Sequence, residues 1–111
     1  RSFPTGRILE TAKLLSAYPE QRQSVRSLAE RAGLSTPQFQ RRFKEEIGLP
    51  PMEYAMRRRV ERAARLLETS TMSVTAIALE SGFPSSQYFA TVFKKFTGAT
   101  PTEYRAGSLG V

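Results

Sequence analysis

The sequence predicts an all-α fold made of two helix-turn-helix units in tandem, and three observations predict it. The chain repeats itself once along its length. Each copy has serine where a helix should start and glycine where it should stop. The apolar residues of each copy recur at helical rather than strand spacing. With 111 residues, the chain has room for one compact domain or two very small ones.

Residues 24–54 align with residues 73–104. At an offset of 49, Ser24 falls on Ser73, Val25 on Val74, Ala29 on Ala78 and Gly33 on Gly82. Beyond the glycine the offset becomes 50. Phe39 then falls on Phe89, Phe43 on Phe93, Lys44 on Lys94, Gly48 on Gly98, Pro51 on Pro101, Glu53 on Glu103 and Tyr54 on Tyr104. The second copy therefore carries one extra residue just after its glycine, where a turn accommodates it best.

Taken in order, residues 6–17 read as a helix with Ile8, Leu9, Ala12 and Leu15 inward, ending before Pro19. A short helix follows Ser24, a good N-cap, with Val25, Leu28, Ala29 and Ala32 inward, and ends at Gly33. A second helix begins near Ser35, with Pro37 in its first turn and Phe39, Phe43 and Ile47 inward, and ends at Gly48. Residues 52–68 form the longest helix, entered through Pro50 and Pro51. Its packing positions are Tyr54, Val60, Ala63, Ala64 and Leu67.

The second copy starts after Ser73, with Val74, Ile77, Ala78 and Ser81 inward, and ends at Gly82. Its partner helix begins near Ser85, carries Phe89, Phe93 and Phe96 inward, and ends at Gly98. Pro101 opens a short closing helix anchored by Tyr104, and residues 107–111 read as a frayed tail. The boundaries expected are 1–51 for the first subdomain, 52–68 for the joining helix and 69–111 for the second subdomain. At 1.5 Å per residue the joining helix spans roughly 25 Å, a strut able to hold the two reading helices about one DNA turn, roughly 34 Å, apart.

Composition narrows the function. The chain has no His, no Cys and no Asp. That argues against zinc fingers, Cys/His nucleophiles and most metal cages, and makes an enzyme the least favoured class. Neither a cofactor nor a metal is expected. No apolar run approaches the roughly 20 residues of a membrane span, and no leader pattern appears. A cytoplasmic protein is expected. Seventeen Lys and Arg against ten Glu leave a charge of +7, so a polyanion is the expected partner.

On a recognition helix, an inward apolar stripe and an outward polar stripe share one cylinder. In the first unit Thr36, Pro37, Gln40, Arg41 and Lys44 fall opposite the aromatic stripe. Gln can clamp adenine, and Arg can clamp the O6 and N7 of guanine. Gln40 and Arg41 are the leading base readers; the bland reading of Arg41 is an ion pair with Glu45. In the second unit the outward positions are Ser86, Gln87, Ala90, Thr91 and Lys94. Gln87 is its only long neutral reader. Ala90 and Thr91 are short enough to touch a thymine methyl. The expected base contacts are Thr36, Pro37, Gln40, Arg41, Ser86, Gln87 and Thr91. The expected phosphate contacts are Ser35, Lys44, Arg58, Ser85, Lys94 and Lys95. The arginines of residues 57–65 divide between phosphate contact and a solvated face on which Glu61 pairs Arg57 and Arg65.

The run Gly82-Phe83-Pro84-Ser85-Ser86-Gln87-Tyr88-Phe89 is followed by Phe93-Lys94-Lys95-Phe96-Thr97-Gly98-Ala99-Thr100-Pro101 and by Tyr104-Arg105. It resembles the signature of the AraC/XylS family of transcription regulators. The first unit fits as well, through Ala29, Gly33, Ser35, Phe39, Arg41, Phe43, Lys44, Gly48 and Pro51. The resemblance covers residues 6–106. It implies seven helices and two homeodomain-like helix-turn-helix subdomains joined by a long helix. It implies bacterial origin and binding to double-stranded DNA, with the helices near 36–47 and 86–97 in successive major grooves. It also implies control of transcription initiation, contact with RNA polymerase, and an N-terminal effector or dimerisation domain in a longer parent chain. From the absent initiator Met, an excised C-terminal domain is the expectation, with a stand-alone regulator as the alternative.

Three residues depart from the family pattern. Thr91 stands where a longer polar or basic side chain is usual, Pro37 where a larger one reaches the groove, and Arg42 where an apolar one packs. Arg42 is expected to snorkel toward a phosphate. Residues 24–68 hold ten basic and six acidic side chains, against three and two in residues 69–111. The first unit is therefore expected to dominate specificity and the second to grip phosphate. The rival class is a basic interaction domain that meets an acidic protein partner. An RNA binder is disfavoured because the aromatics repeat on inward stripes, Tyr88 being the exception.

Overall fold

The computed structural model describes residues 6–108. The described residues form seven α-helices: α1 (Gly6–Ala17), α2 (Val25–Ala32), α3 (Thr36–Ile47), α4 (Pro51–Thr69), α5 (Val74–Glu80), α6 (Ser86–Thr97) and α7 (Pro101–Ser108). The chain divides into two compact units, residues 1–56 and 57–111, so the division falls within α4.

In the first unit, α1 buries Ile8, Thr11, Ala12 and Leu15. This is an i, i+3, i+4, i+7 stripe with a threonine in it. The Thr11 hydroxyl donates to the Ile8 carbonyl at 2.7 Å, which satisfies a buried polar group. Leu9, expected inward, is exposed; Ile8 holds the inward position, and its neighbour 100° around the helix cannot share it. The core joins α1 to Leu28, Ala29 and Ala32 of α2, Phe39 and Phe43 of α3, and Ala55 of α4. Each fully buried Phe contributes on the order of 1.5–3 kcal/mol.

The turn between α2 and α3 explains the shift in repeat offset. Gly33 takes φ 71°, and Leu34 N–H reaches back to the Ala29 carbonyl at 3.0 Å. In the second unit Phe83 N–H reaches the Ala78 carbonyl at 2.9 Å, and Gly82 has φ 91°. Both glycines hold a left-handed conformation that costs other residues 1–2 kcal/mol or so. The two turns correspond through Leu34 and Phe83. Ser35 then starts α3 at once, whereas Pro84 intervenes before Ser85. One refinement is needed: α5 stops at Glu80, capped by Ser81, one residue before the expected glycine.

The second unit repeats the aromatic ladder. Phe89 and Phe93 lie 5.4 Å apart, and Tyr104 meets Phe93 edge-on at 5.2 Å. Phe39, Phe43 and Tyr54 make the same series, with both spacings 5.6 Å. Phe83 joins the second ladder, 4.9 Å from Phe89. Phe96, expected inward, is only half-buried. Val92 takes the inner position instead, and the Arg57 guanidinium lies over the Phe96 ring at 5.1 Å.

The repeat runs further than residues 24–54. At an offset of 52, Ile8, Thr11 and Leu15 of α1 correspond to Val60, Ala63 and Leu67 of α4, and all six are buried. Each tyrosine hydroxyl then ties its ladder to an equivalent helix. Tyr54 bonds Ser16 at 2.8 Å, and Tyr104 donates to Glu68. The first turns of α4 thus close the first unit through Tyr54 and Ala55, and its later turns stand in the second unit as α1 stands in the first.

Helix α7 clasps the second unit. The Arg105 guanidinium donates to the carbonyls of Leu67 (3.1 Å), Met72 (2.7 Å) and Ser70 (3.1 Å). It thereby caps the end of α4 and fixes the link to α5. Thr100 and Glu103 cap α7 reciprocally. Thr100 N–H donates to the Glu103 carboxylate at 2.9 Å, and Glu103 N–H donates to the Thr100 hydroxyl at 3.1 Å. The Thr100 backbone bond, aided by its side chain, holds the Glu103 carboxyl below its usual range. The bond to Glu68, with some burial, raises the Tyr104 phenol. Of the expected tail, Gly107 is helical and Ser108 is the last residue of α7; residues 109–111 lie outside the described residues.

Candidate nucleic-acid interface

Helix α3 starts from a capping box. The Ser35 hydroxyl accepts from Gln38 N–H at 3.3 Å, and Ser35 N–H donates to the Gln38 side-chain carbonyl at 3.2 Å. The Ser35 hydroxyl also donates to that carbonyl at 3.1 Å. Pro37 sits in the first turn, where its missing N–H is not needed by the helix. Phe39 and Phe43 are fully buried, which fixes the rotation of the cylinder. Pro37, Gln40, Arg41 and Lys44 are left exposed on the other side, with Thr36 half-buried beside them. Arg41 and Glu45, both exposed, make no ion pair among the described residues.

Arg42 does not extend outward as expected. Its Nε and a terminal nitrogen both bond Glu46, at 3.1 and 3.0 Å, and the Glu46 side chain is only 4% exposed. One turn of helix separates the pair, and the carboxylate needs a cation where water is scarce.

Helix α6 is built on the same plan. The Ser85 hydroxyl accepts from Tyr88 N–H at 3.1 Å. Phe89, Val92 and Phe93 are buried; Gln87, Thr91, Lys94 and Lys95 are exposed; Ser86 and Ala90 are half-buried. Thr91 donates its hydroxyl to the Gln87 carbonyl at 3.1 Å. Tyr88 is 46% exposed, as expected, and Tyr18 of the first unit, at 49%, is outward as well.

The two helix starts differ in chemistry. The Ser35 hydroxyl hydrogen is engaged by Gln38, whereas Ser85 uses only an acceptor lone pair in its cap and keeps a donor. Pro37 removes one backbone donor from the first turn of α3; Gln87 keeps its own at the matching position of α6. Lys44, Lys94 and Lys95 lie in last turns, where they also favour the negative end of the helix dipole.

Three arginines of α4, Arg57, Arg58 and Arg62, have partners within the second unit. Arg58 is bonded to Glu61, three residues on rather than four. Arg62 donates to the Glu80 carbonyl at 3.2 Å and lies 3.8 Å from its carboxylate. Arg65 makes no ion pair with Glu61 among the described residues, contrary to expectation. The described residues contain no His, Cys, Asp or Glu group suited to a metal, and no helix long and apolar enough to cross a membrane.

The Gln38 cap and the Arg105 clasp were missed in the sequence. The first is legible as Ser-x-x-Gln before an apolar residue. The second has no local signal, because its partners are backbone carbonyls 33 to 38 residues away.

Comparison with known proteins matches this arrangement. A profile of the helix-turn-helix domain family covers residues 28–107. The transcriptional activator AarP of Providencia stuartii is 38% identical over 108 residues, which cover 97% of this chain and 80% of AarP. The arabinose operon regulatory protein of Escherichia coli K12 is 30% identical over 103 residues, 92% of this chain but 35% of that protein. The crystal structure of the DNA-binding domain of AdpA, a global transcriptional factor, in complex with a target DNA superposes with a TM-score of 0.87 at 34% identity, covering 96% of this chain and 93% of that one. With two capped helix pairs in the same register, and likenesses that run nearly end to end, the chain belongs to the AraC/XylS family of transcription regulators, as a helix-turn-helix DNA-binding domain of that family.

Proposed function

We propose that this chain binds double-stranded DNA sequence-specifically, to regulate transcription initiation, and that α3 carries most of the discrimination. The observation that carries this reading is the pair Gln40 and Arg41. They are adjacent, exposed and opposite two fully buried phenylalanines, and Arg41 is not spent on Glu45. Gln40 and Arg41 clamp bases; Thr36 and Pro37 flank them. In α6, Gln87 is the one long reader, with Ser86 and Thr91 beside it. Lys44, Lys94, Lys95 and Ser85 hold phosphates, and Ser35 joins them only by giving up its hydroxyl bond to Gln38. Arg58 joins them only by exchanging Glu61 for a phosphate oxygen.

The matching registers of α3 and α6 support their use in successive major grooves, with residues 1–51 and 69–111 as subdomains and 52–68 between them. Contact with RNA polymerase, an effector or dimerisation domain in a longer parent chain and a cytoplasmic location belong to the same reading. They rest on family membership alone, since the chain spans 35% of the arabinose regulator's length.

The test is alanine scanning against matched and scrambled duplexes at one salt concentration. Arg41→Ala should cost about 1–3 kcal/mol on the matched site and relax specificity there. Gln87→Ala should cost less. Equal loss of discrimination from the two would overturn the assignment to α3. Equal binding to matched and scrambled duplexes would favour the acidic-protein reading instead.

A further inference from the structure

The two recognition helices occupy one register but carry opposite chemistry. At an offset of 50, Gln40 corresponds to Ala90 and Arg41 to Thr91. Where α3 presents an amide and a guanidinium, α6 presents two short side chains ending in methyl groups. Thr91 still has a hydroxyl, but its hydrogen is committed to the Gln87 carbonyl at 3.1 Å. What Thr91 offers outward is a methyl and acceptor lone pairs, and no hydrogen-bond donor. Ala90 beside it offers only a methyl. Gln87 and Lys94, also exposed, lie one turn to either side.

In the major groove, the apolar feature that a pyrimidine presents is the group at C5. We propose that α6 reads a pyrimidine C5-methyl group, through the methyls of Ala90 and Thr91. This inference rests on the DNA-binding reading above and adds the chemical class of the base that the second unit selects. Two pyrimidines carry that methyl: thymine and 5-methylcytosine. The Thr91 hydroxyl accepts but does not donate, so it is also compatible with the exocyclic amino group of 5-methylcytosine, which donates there. The second half-site is therefore sensitive to methylation at C5 and tolerant of the exchange of thymine for 5-methylcytosine. The first half-site, read by long polar groups, is not.

The test uses a duplex selected by this chain from a random pool. The α6 half-site is the half whose discrimination survives Arg41→Ala. Each thymine in it is replaced in turn by deoxyuridine, cytosine and 5-methylcytosine, the opposite adenine being changed to guanine for the two cytosines, and binding is followed by fluorescence anisotropy. At one or two positions, loss of the methyl should weaken binding about fourfold, the equivalent of one buried methyl group. There 5-methylcytosine should bind as thymine does. Thr91→Ser keeps the hydroxyl and its bond to the helix but lacks the methyl; it should shrink the thymine-to-uracil difference, leaving only the share of Ala90. Thr91→Val, which keeps a methyl and loses the hydroxyl, should preserve it. Equal binding of thymine and uracil at every position of that half-site would overturn the inference, as would a thymine preference untouched by Thr91→Ser. Either result leaves the DNA-binding reading standing while matched and scrambled duplexes differ. Failure of that difference would remove both.

Discussion

At the scale of single residues, Ser81 is the costliest choice in the second unit. It sits where the first unit has Ala32, and it is fully buried with no hydrogen-bond partner for its hydroxyl among the described residues. An unsatisfied buried hydroxyl costs on the order of 1–3 kcal/mol. Ser81→Ala should therefore stabilise the second unit by about 1 kcal/mol. A thermal melt should show the transition rising by roughly 4–8 °C, with DNA affinity unchanged. Two titrating residues contribute to the pH dependence of α7. The folded carboxyl of Glu103 lies below its usual value, so its contribution is complete above the ordinary carboxylate range and fades as pH falls through the lowered value. The Tyr104 phenol is raised, so its contribution is complete below about pH 10 and fades as pH climbs through the raised value. Glu103→Gln should flatten the acid limb of stability alone, and Tyr104→Phe the alkaline limb alone, when unfolding is followed by circular dichroism across pH.

Among the elements, those with strong local signals were readable. Serine caps and glycine stops located α2, α3 and α6 to within a residue, because a cap is chemistry between neighbours in sequence. The inner stripe of α1 was read with Leu9 in place of Thr11, because a hydropathy pattern cannot foresee a threonine that satisfies itself on the Ile8 carbonyl. The likeness of α1 to the later part of α4 is hard to read in the sequence for a different reason. It survives as a pattern of size and burial, with no run of identical residues long enough to notice. Of the candidate interface, the outward stripes were legible, but the engagement of Arg42 and Arg58 within the chain was not. Several carboxylates stood within reach of each arginine, and only packing decides among them. The Arg105 clasp belongs to this scale too. Arg105→Ala leaves three carbonyls at the α4–α5 link without their cation. It should destabilise the second unit by about 2 kcal/mol. Hydrogen exchange should quicken first at residues 70–77, and much less in α2 and α3.

For the whole molecule, the two units share the positive charge, residues 1–56 carrying three more basic than acidic side chains and residues 57–111 four more, while along the chain the charge thins toward the C-terminus. Residues 24–68 carry four more basic than acidic side chains, and residues 69–111 only one more. Association with DNA should be fast at low salt and fall steeply as salt rises. Removing Lys44, Lys94 or Lys95 should each reduce the slope of log affinity against log salt by about 0.9. Affinity should fall alike on matched and scrambled duplexes. A lysine whose loss leaves the slope intact holds no phosphate.

The double membership of α4 bears on how this protein can be taken apart. A cut at residue 51, before α4, strips Tyr54 and Ala55 from the first core, and a cut at residue 69, after it, strips Val60, Ala63 and Leu67 from the second unit. The apparent borders of the motif are thus the wrong places to trim, and independently soluble halves should come only from breaks near residues 56 and 57. A helix owned jointly by neighbours passes whole to neither, so each half can be transplanted only with its own share of α4.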